Sequence, residues 1–207
     1  MICDNSDIYK ILKLIDLNSY SCSKNFLGYT NYEDSFSIVN FEKVCSKFQK
    51  SFLISSKNSI IMSSLFMSKN KSEIAKDYEV SIPYIDNFLN VLMSKKIIKM
   101  IDFDKLSNGI SYDSEAYSKK LEQIENSFSC YYPENSDDLY KIFLSFFKCI
   151  GVFGHIFLVL KHCKLIVYPH TDDLGFGFIG MNEPENDQQK DFLKSIFSED
   201  KFNFFCS

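Results

Sequence analysis

Arginine and tryptophan are absent from this chain of 207 residues, and alanine occurs only at Ala75 and Ala116. All 23 basic residues are therefore lysines, so the chain has no guanidinium fork for bidentate recognition of phosphate, carboxylate or guanine. A net positive field is missing too. The 27 acidic residues leave a formal charge of -4, which excludes a histone-like or polybasic attraction to nucleic acid or anionic lipid. No CxxC pair occurs among the seven cysteines, at positions 3, 22, 45, 130, 149, 163 and 206. Neither a disulfide framework nor a zinc knuckle is indicated, and reduced thiols in a cytoplasmic compartment are expected. The opening MICDNSD lacks the positive flank and apolar core of a secretory signal. Phosphate-loop GxxxxGK[ST], nucleophile-elbow GxSxG and HExxH patterns are also missing.

What is present is a globular composition, 45% hydrophobic and 24% charged, that can bury a core. The longest apolar run, Ile142 to Leu160, approaches the roughly 20 residues of a bilayer span. Lys148 and His155 interrupt it, and Gly151 and Gly154 divide it. It therefore reads as a buried helix feeding a buried strand, with no membrane partner.

Helical spacing predicts a helix over about Asp7 to Leu17 behind Ser6, and another through Phe41, Val44, Cys45, Phe48 and Phe52 capped by Asn40. Between them, Asn18 to Ser37 reads as a loop. Ile60, Ile61, Leu65 and Phe66 suggest a helix, Ser72 the cap of a short one, and Pro83 the first turn of a third carrying Ile85, Phe88, Leu89 and Leu92. Runs at Ile97 to Phe103 and Ile110 to Tyr112 read as a β-hairpin. Ser114 then caps a helix bearing Tyr117, Leu121, Ile124 and Phe128, and Ser136 one over about Asp137 to Ile150. Ile156 to Leu160, Leu165 to Tyr168 and Phe176 to Ile179 follow as strands, with GFGFIG at 175–180 read as a strand and not as a nucleotide loop. A helix over about Glu185 to Phe197 closes the pattern. The fold class is α+β, with a helical N-terminal part and a small C-terminal antiparallel sheet. Three consecutive regions are expected, at 1–53, 54–113 and 114–207.

The order helix, helix, turn, helix, hairpin over about Ile54 to Asp113, with KSEIAKDYEVSIPYIDNFLNVLMSKKIIKM at 71–100, resembles the winged-helix family, just over a quarter of the chain. The resemblance implies either DNA reading or protein docking. For DNA, Ser81, Tyr84, Asn87 and Asn90 would enter the groove, with Lys69, Lys71, Lys95 and Lys96 on phosphates. Asp86 on the same face opposes phosphate, and 54–113 holds eight lysines against seven acids, a local charge of only +1.

Protein docking, as in accessory subunits of SMC-type ATPase complexes, is the preferred use. The expectation is a non-enzymatic adaptor of a bacterial or phage complex, of the defence, ATPase-accessory or toxin-immunity kind. Tyr84, Tyr131, Tyr132 and Tyr168 are its expected anchors, no cofactor is expected, and a DNA-binding regulator is the alternative.

One polar cluster, His162, Cys163, His170, Asp172 and Asp173, offers metal-ligand chemistry. PHTDD there resembles the HPDD motif of zinc-dependent deacetylases, with Thr171 in place of the proline and Leu174 in place of the following acid. Turn chemistry before Gly175 is the preferred reading, and His162, His170 and Asp172 remain the metal candidates.

Overall fold

The structure is a computed structural model of the chain that describes all residues except 1–4, 34–37, 53–58, 171–173 and 199–200. Its helices are α1 (Asn5–Leu12), α2 (Ile38–Phe52), α3 (Lys71–Asp77), α4 (Ile82–Ser94), α5 (Phe103–Ser107), α6 (Glu115–Glu125), α7 (Ser136–Lys148) and α8 (Asn186–Phe197). Its strands are β1 (Phe26–Tyr32), β2 (Ser59–Ser63), β3 (Leu65–Ser68), β4 (Ile98–Ile101), β5 (Ser129–Tyr131), β6 (Val152–Phe153), β7 (Ile156–Leu160), β8 (Leu165–His170), β9 (Gly175–Gly180) and β10 (Phe202–Cys206). The α+β class is as expected. A seven-stranded sheet runs β10-β1-β9-β8-β7-β2-β5, and a three-stranded one runs β4-β3-β6. No helix among the described residues is long and apolar enough to cross a membrane.

Where three consecutive regions were expected, the chain forms two units of interleaved segments. The first takes in 1–61, 132–144 and 157–207, the second 62–131 and 145–156. The interleaving follows from pairing near both chain ends. Strand β1 lies antiparallel between β10 and β9, with Tyr29 opposite Phe205 on one side and Gly177 on the other.

In the first unit, apolar residues of the sheet meet the phenylalanine stripe of α2. Phe48 stacks on Phe176 at 4.2 Å and meets Phe143 of α7 edge-on at 5.5 Å. Phe52 and Phe197 of α8 pack on Phe178. Strand β9 alternates, so its phenylalanines take this face while Gly177 leaves room on the other for the Tyr168 ring.

In the second unit, β3 runs parallel to β4 and antiparallel to β6. Helix α3, a tight turn and α4 follow one another as expected. Ser81 accepts from the Tyr84 amide, Pro83 sits in the first turn, and Ile85, Leu89 and Leu92 are buried. The short helix is capped by Asn70, whose side chain accepts from the Glu73 amide, and not by Ser72.

Other differences have local causes. The expected helix over Ile60 to Phe66 is instead two strands, β2 and β3, which join different sheets and of whose residues all but one are buried. A short run that is apolar on every side carries no period to separate strand from helix. The expected hairpin is also replaced, because Asp102 accepts from the Lys105 amide and opens α5, which left-handed Asn108 (φ 43°) ends. Residues 110–112 form no strand. Strand β1 occupies the expected loop at 18–37, α1 ends at Leu12, and Asn40 lies inside α2 instead of capping it. At α7 the acceptor for the Asp138 amide is Asn135, at 2.9 Å, so the cap falls one residue before Ser136.

His155, in the second unit, stacks parallel to Phe128 at 6.1 Å, and burial lowers its pKa below the ordinary 6.5. Below 6.5 the unfolded imidazole protonates before the folded one, so the folded chain binds fewer protons. Stability then rises with pH through that window and is lost as pH falls into it. The urea midpoint of His155→Phe should accordingly fall less than that of the parent between about pH 7 and about pH 5. Equal losses in the two proteins would remove His155 as a source.

Candidate functional site

The outward face of α4 leaves Ser81, Asn87 and Asn90 exposed and Tyr84 half-buried. Tyr84 meets Phe88 edge-on at 5.1 Å, and burial followed by the nearby Cys149 raises its phenol pKa. The lysines expected on phosphates are engaged differently. Lys71 pairs with Asp86 at 2.5 Å, and Lys95 lies over the Tyr131 ring at 5.3 Å. Lys69 is exposed near Asp102, whose carboxyl pKa is lowered chiefly by the Lys105 amide. Lys96, exposed, follows the helix with a left-handed φ of 57°. Half-buried Lys99 donates to the Ser127 carbonyl at 2.8 Å.

Of the tyrosines expected as anchors, Tyr131 and Tyr132 are half-buried. Tyr168 is 3% exposed, lies 4.4 Å from the Tyr20 ring and has its phenol pKa raised by burial. It is a core residue of the sheet. The ring sits there because Gly177 of the neighbouring strand has no side chain, a close approach that the alternating glycines of 175–180 signal in sequence.

The expected metal cluster is dispersed. His162 is exposed in the turn before β8 and His170 ends that strand, stacking on Tyr29 at 5.5 Å. Asp172 and Asp173 lie outside the described residues. Among those described, no three histidine, cysteine or acidic side chains converge on one point. Cys163, the one cysteine beside a histidine, has its thiol pushed up to about 11 by burial, which disfavours the nucleophilic thiolate. GFGFIG does carry the GxGxxG spacing. It forms strand β9, hydrogen-bonded to β8 and β1 and buried throughout, where a phosphate loop would lead from a strand into a helix.

A concave surface that was not expected lies wholly in the second unit, at the end of β3 and β4 where the chain turns into α3 and α5. Asn70, Glu73, Asp102, Asp104, Tyr112 and Phe153 are among the residues lining this cleft of about 700 Å³. Tyr112 is 55% and Phe153 51% exposed, although large aromatics are normally covered. Both are held in place. Tyr112 donates to Asp104 Oδ1 at 3.1 Å and meets Tyr117 edge-on, while Phe153 stacks on Phe66 at 5.7 Å. Asp102 and Asn70 cap α5 and α3, which fixes the mouth of the cleft. Glu73, Asp102 and Asp104 bring three carboxylates to the lining and Lys69 one ammonium, while Lys105 pairs with Asp102 at 3.4 Å from beside the cleft. Phe153 stands in the apolar run and Tyr112 in the expected hairpin, and neither carries a local sign of its exposure.

No protein family, curated protein or solved structure matches the chain.

Proposed function

We propose that the chain is a non-enzymatic interaction subunit whose docking surface is the acidic, aromatic cleft of the second unit. The observation that carries this reading is the pair of exposed, preorganised rings, Tyr112 and Phe153, beside a surplus of carboxylates. Rigid aromatics that shed water on binding supply most of the affinity at protein interfaces, and a charged rim selects the partner. The occupant that fits is an extended, lysine- or arginine-bearing segment of another protein with one or two apolar side chains. Engagement of Lys71 by Asp86 and of Lys95 by Tyr131 favours this reading over duplex DNA, which needs a continuous basic footprint. The adaptor reading of the sequence is kept, with the anchors moved from Tyr84, Tyr131, Tyr132 and Tyr168 to the cleft.

Panning a random peptide display library on the purified chain tests the proposal. Basic peptides with an aromatic or aliphatic anchor should be enriched. Tyr112→Ser with Phe153→Ser should weaken a selected peptide on the order of tenfold or more, and raising the salt should weaken it further. Enrichment of acidic peptides, or affinity indifferent to the double substitution, would overturn the reading.

A further inference from the structure

A second concave surface, wholly within the first unit, has the opposite charge. Helix α2 turns Lys43, Ser46, Lys47 and Lys50 toward a cleft of about 660 Å³ that Tyr32 and Tyr140 help to wall. Positions 43, 47 and 50 share one helix face at spacings of four and three. Like charges so placed repel, and the chain concentrates them here despite its overall charge of -4. Among the described lining residues Glu42 is the one acid, against three lysines. Asp137, one turn before Tyr140, is engaged by Gln49 Nε2 at 2.9 Å. Among the described residues Lys50 makes no ion pair, and Lys43 Nζ lies 5.9 Å from the centre of the Tyr32 ring. The cleft is therefore a concave, cationic surface with two serine hydroxyls, of Ser46 and Ser51, beside the ammonium groups.

We propose that this cleft binds a polyphosphorylated small molecule. Its volume falls in the range of small-ligand sites, roughly 300 to 1,000 Å³. Lysine is the point-charge binder of phosphate, and hydroxyls donate to the remaining oxygens. From Lys43 to Lys50 the helix rises about 10 Å, which suits a chain of phosphates or a bisphosphate more than a single phosphate. Such a ligand bridges the ammonium groups and cancels their repulsion.

Isothermal titration calorimetry at low ionic strength tests this with inorganic tripolyphosphate, orthophosphate and a short polyglutamate as probes. Tripolyphosphate should bind saturably and about tenfold or more tighter than orthophosphate. Lys43→Glu with Lys50→Glu should remove that binding, and the milder Lys43→Gln with Lys50→Gln should weaken it about tenfold in a chain whose circular dichroism is unchanged. The same charge reversal at exposed Lys76 and Lys119 of the second unit should leave affinity within about twofold. Absence of tripolyphosphate binding, an equal loss in the Lys76 and Lys119 variant, or preference for polyglutamate would each overturn the proposal.

Discussion

Gly177→Ala should lower the stability of the chain by about 3 kcal/mol, a cost typical of an added methyl group in a core that cannot yield. A Cβ at this position would stand 2.0 Å from Tyr168 Cζ and 2.3 Å from its hydroxyl oxygen. The obstacle is a ring, and that ring is itself held. Tyr168 is opposite Gly177 in the β8 and β9 ladder, is 3% exposed, and is covered by Tyr20. It cannot swing out without opening the sheet. For a chain of this size, thermal unfolding should move down by roughly 6 to 12 °C. A double-mutant cycle identifies the cause. Tyr168→Ala alone is destabilising because it opens a cavity, yet in the Gly177→Ala background its added cost should shrink by more than about 1 kcal/mol, since the new methyl group fills part of that space. Additive costs, or a Gly177→Ala protein with an unchanged midpoint, would show that the ring does not lie over the glycine.

Phe48→Ala should cost about 3 to 5 kcal/mol, the range for deleting a buried aromatic ring. Phe48 is 2% exposed and touches rings from three elements, Phe52 at 4.9 Å, Phe143 at 5.5 Å and Phe176 at 4.2 Å. Its removal leaves a void that joins α2, α7 and β9, none of which can close it alone. Phe205, 42% exposed on the edge strand β10, provides the contrast, and its replacement by alanine should stay within about 1 kcal/mol. Urea unfolding midpoints of the two variants, measured side by side, check the difference. Equal and small effects would mean that the phenylalanine stripe of α2 does not anchor the sheet. Because Lys47 and Lys50 flank Phe48 on the same helix, its loss should also loosen the cationic cleft.

Elements whose period is both apolar and long were legible from the residues. The stripe Phe41, Val44, Cys45, Phe48 and Phe52 is a helix buried on that face. The runs at 156–160, 165–168 and 176–179 are strands, and Ser114 accepts from the Tyr117 amide as the cap of α6. Strands β1 and β10 were missed for different reasons. In β1, FLGYTNY mixes polar and apolar residues because Gly28 and Thr30 face neighbouring backbone. A Cβ on Gly28 would fall 2.0 Å from the Phe205 carbonyl, and Thr30 Oγ1 accepts from the Phe176 amide. Strand β10 follows α8 by a few residues, and its partner residues in β1 lie 170 or more positions earlier.

The candidate surfaces were less legible. Tyr84, Tyr131, Tyr132 and Tyr168 look alike as letters, yet one of them is core and three are half-buried, while Tyr112 and Phe153 stand open. The amino-acid order alone determined the α+β class, the apolar face of each long helix and the near-balanced charge of 54–113, because periodicity and charge are local sums. Tertiary structure decided how the chain interleaves into two units, which aromatic rings stay exposed, and how three lysines of α2 come to share one cleft. Each of these depends on partners distant in the chain, and burial belongs to the place a side chain reaches, not to the residue type that occupies it.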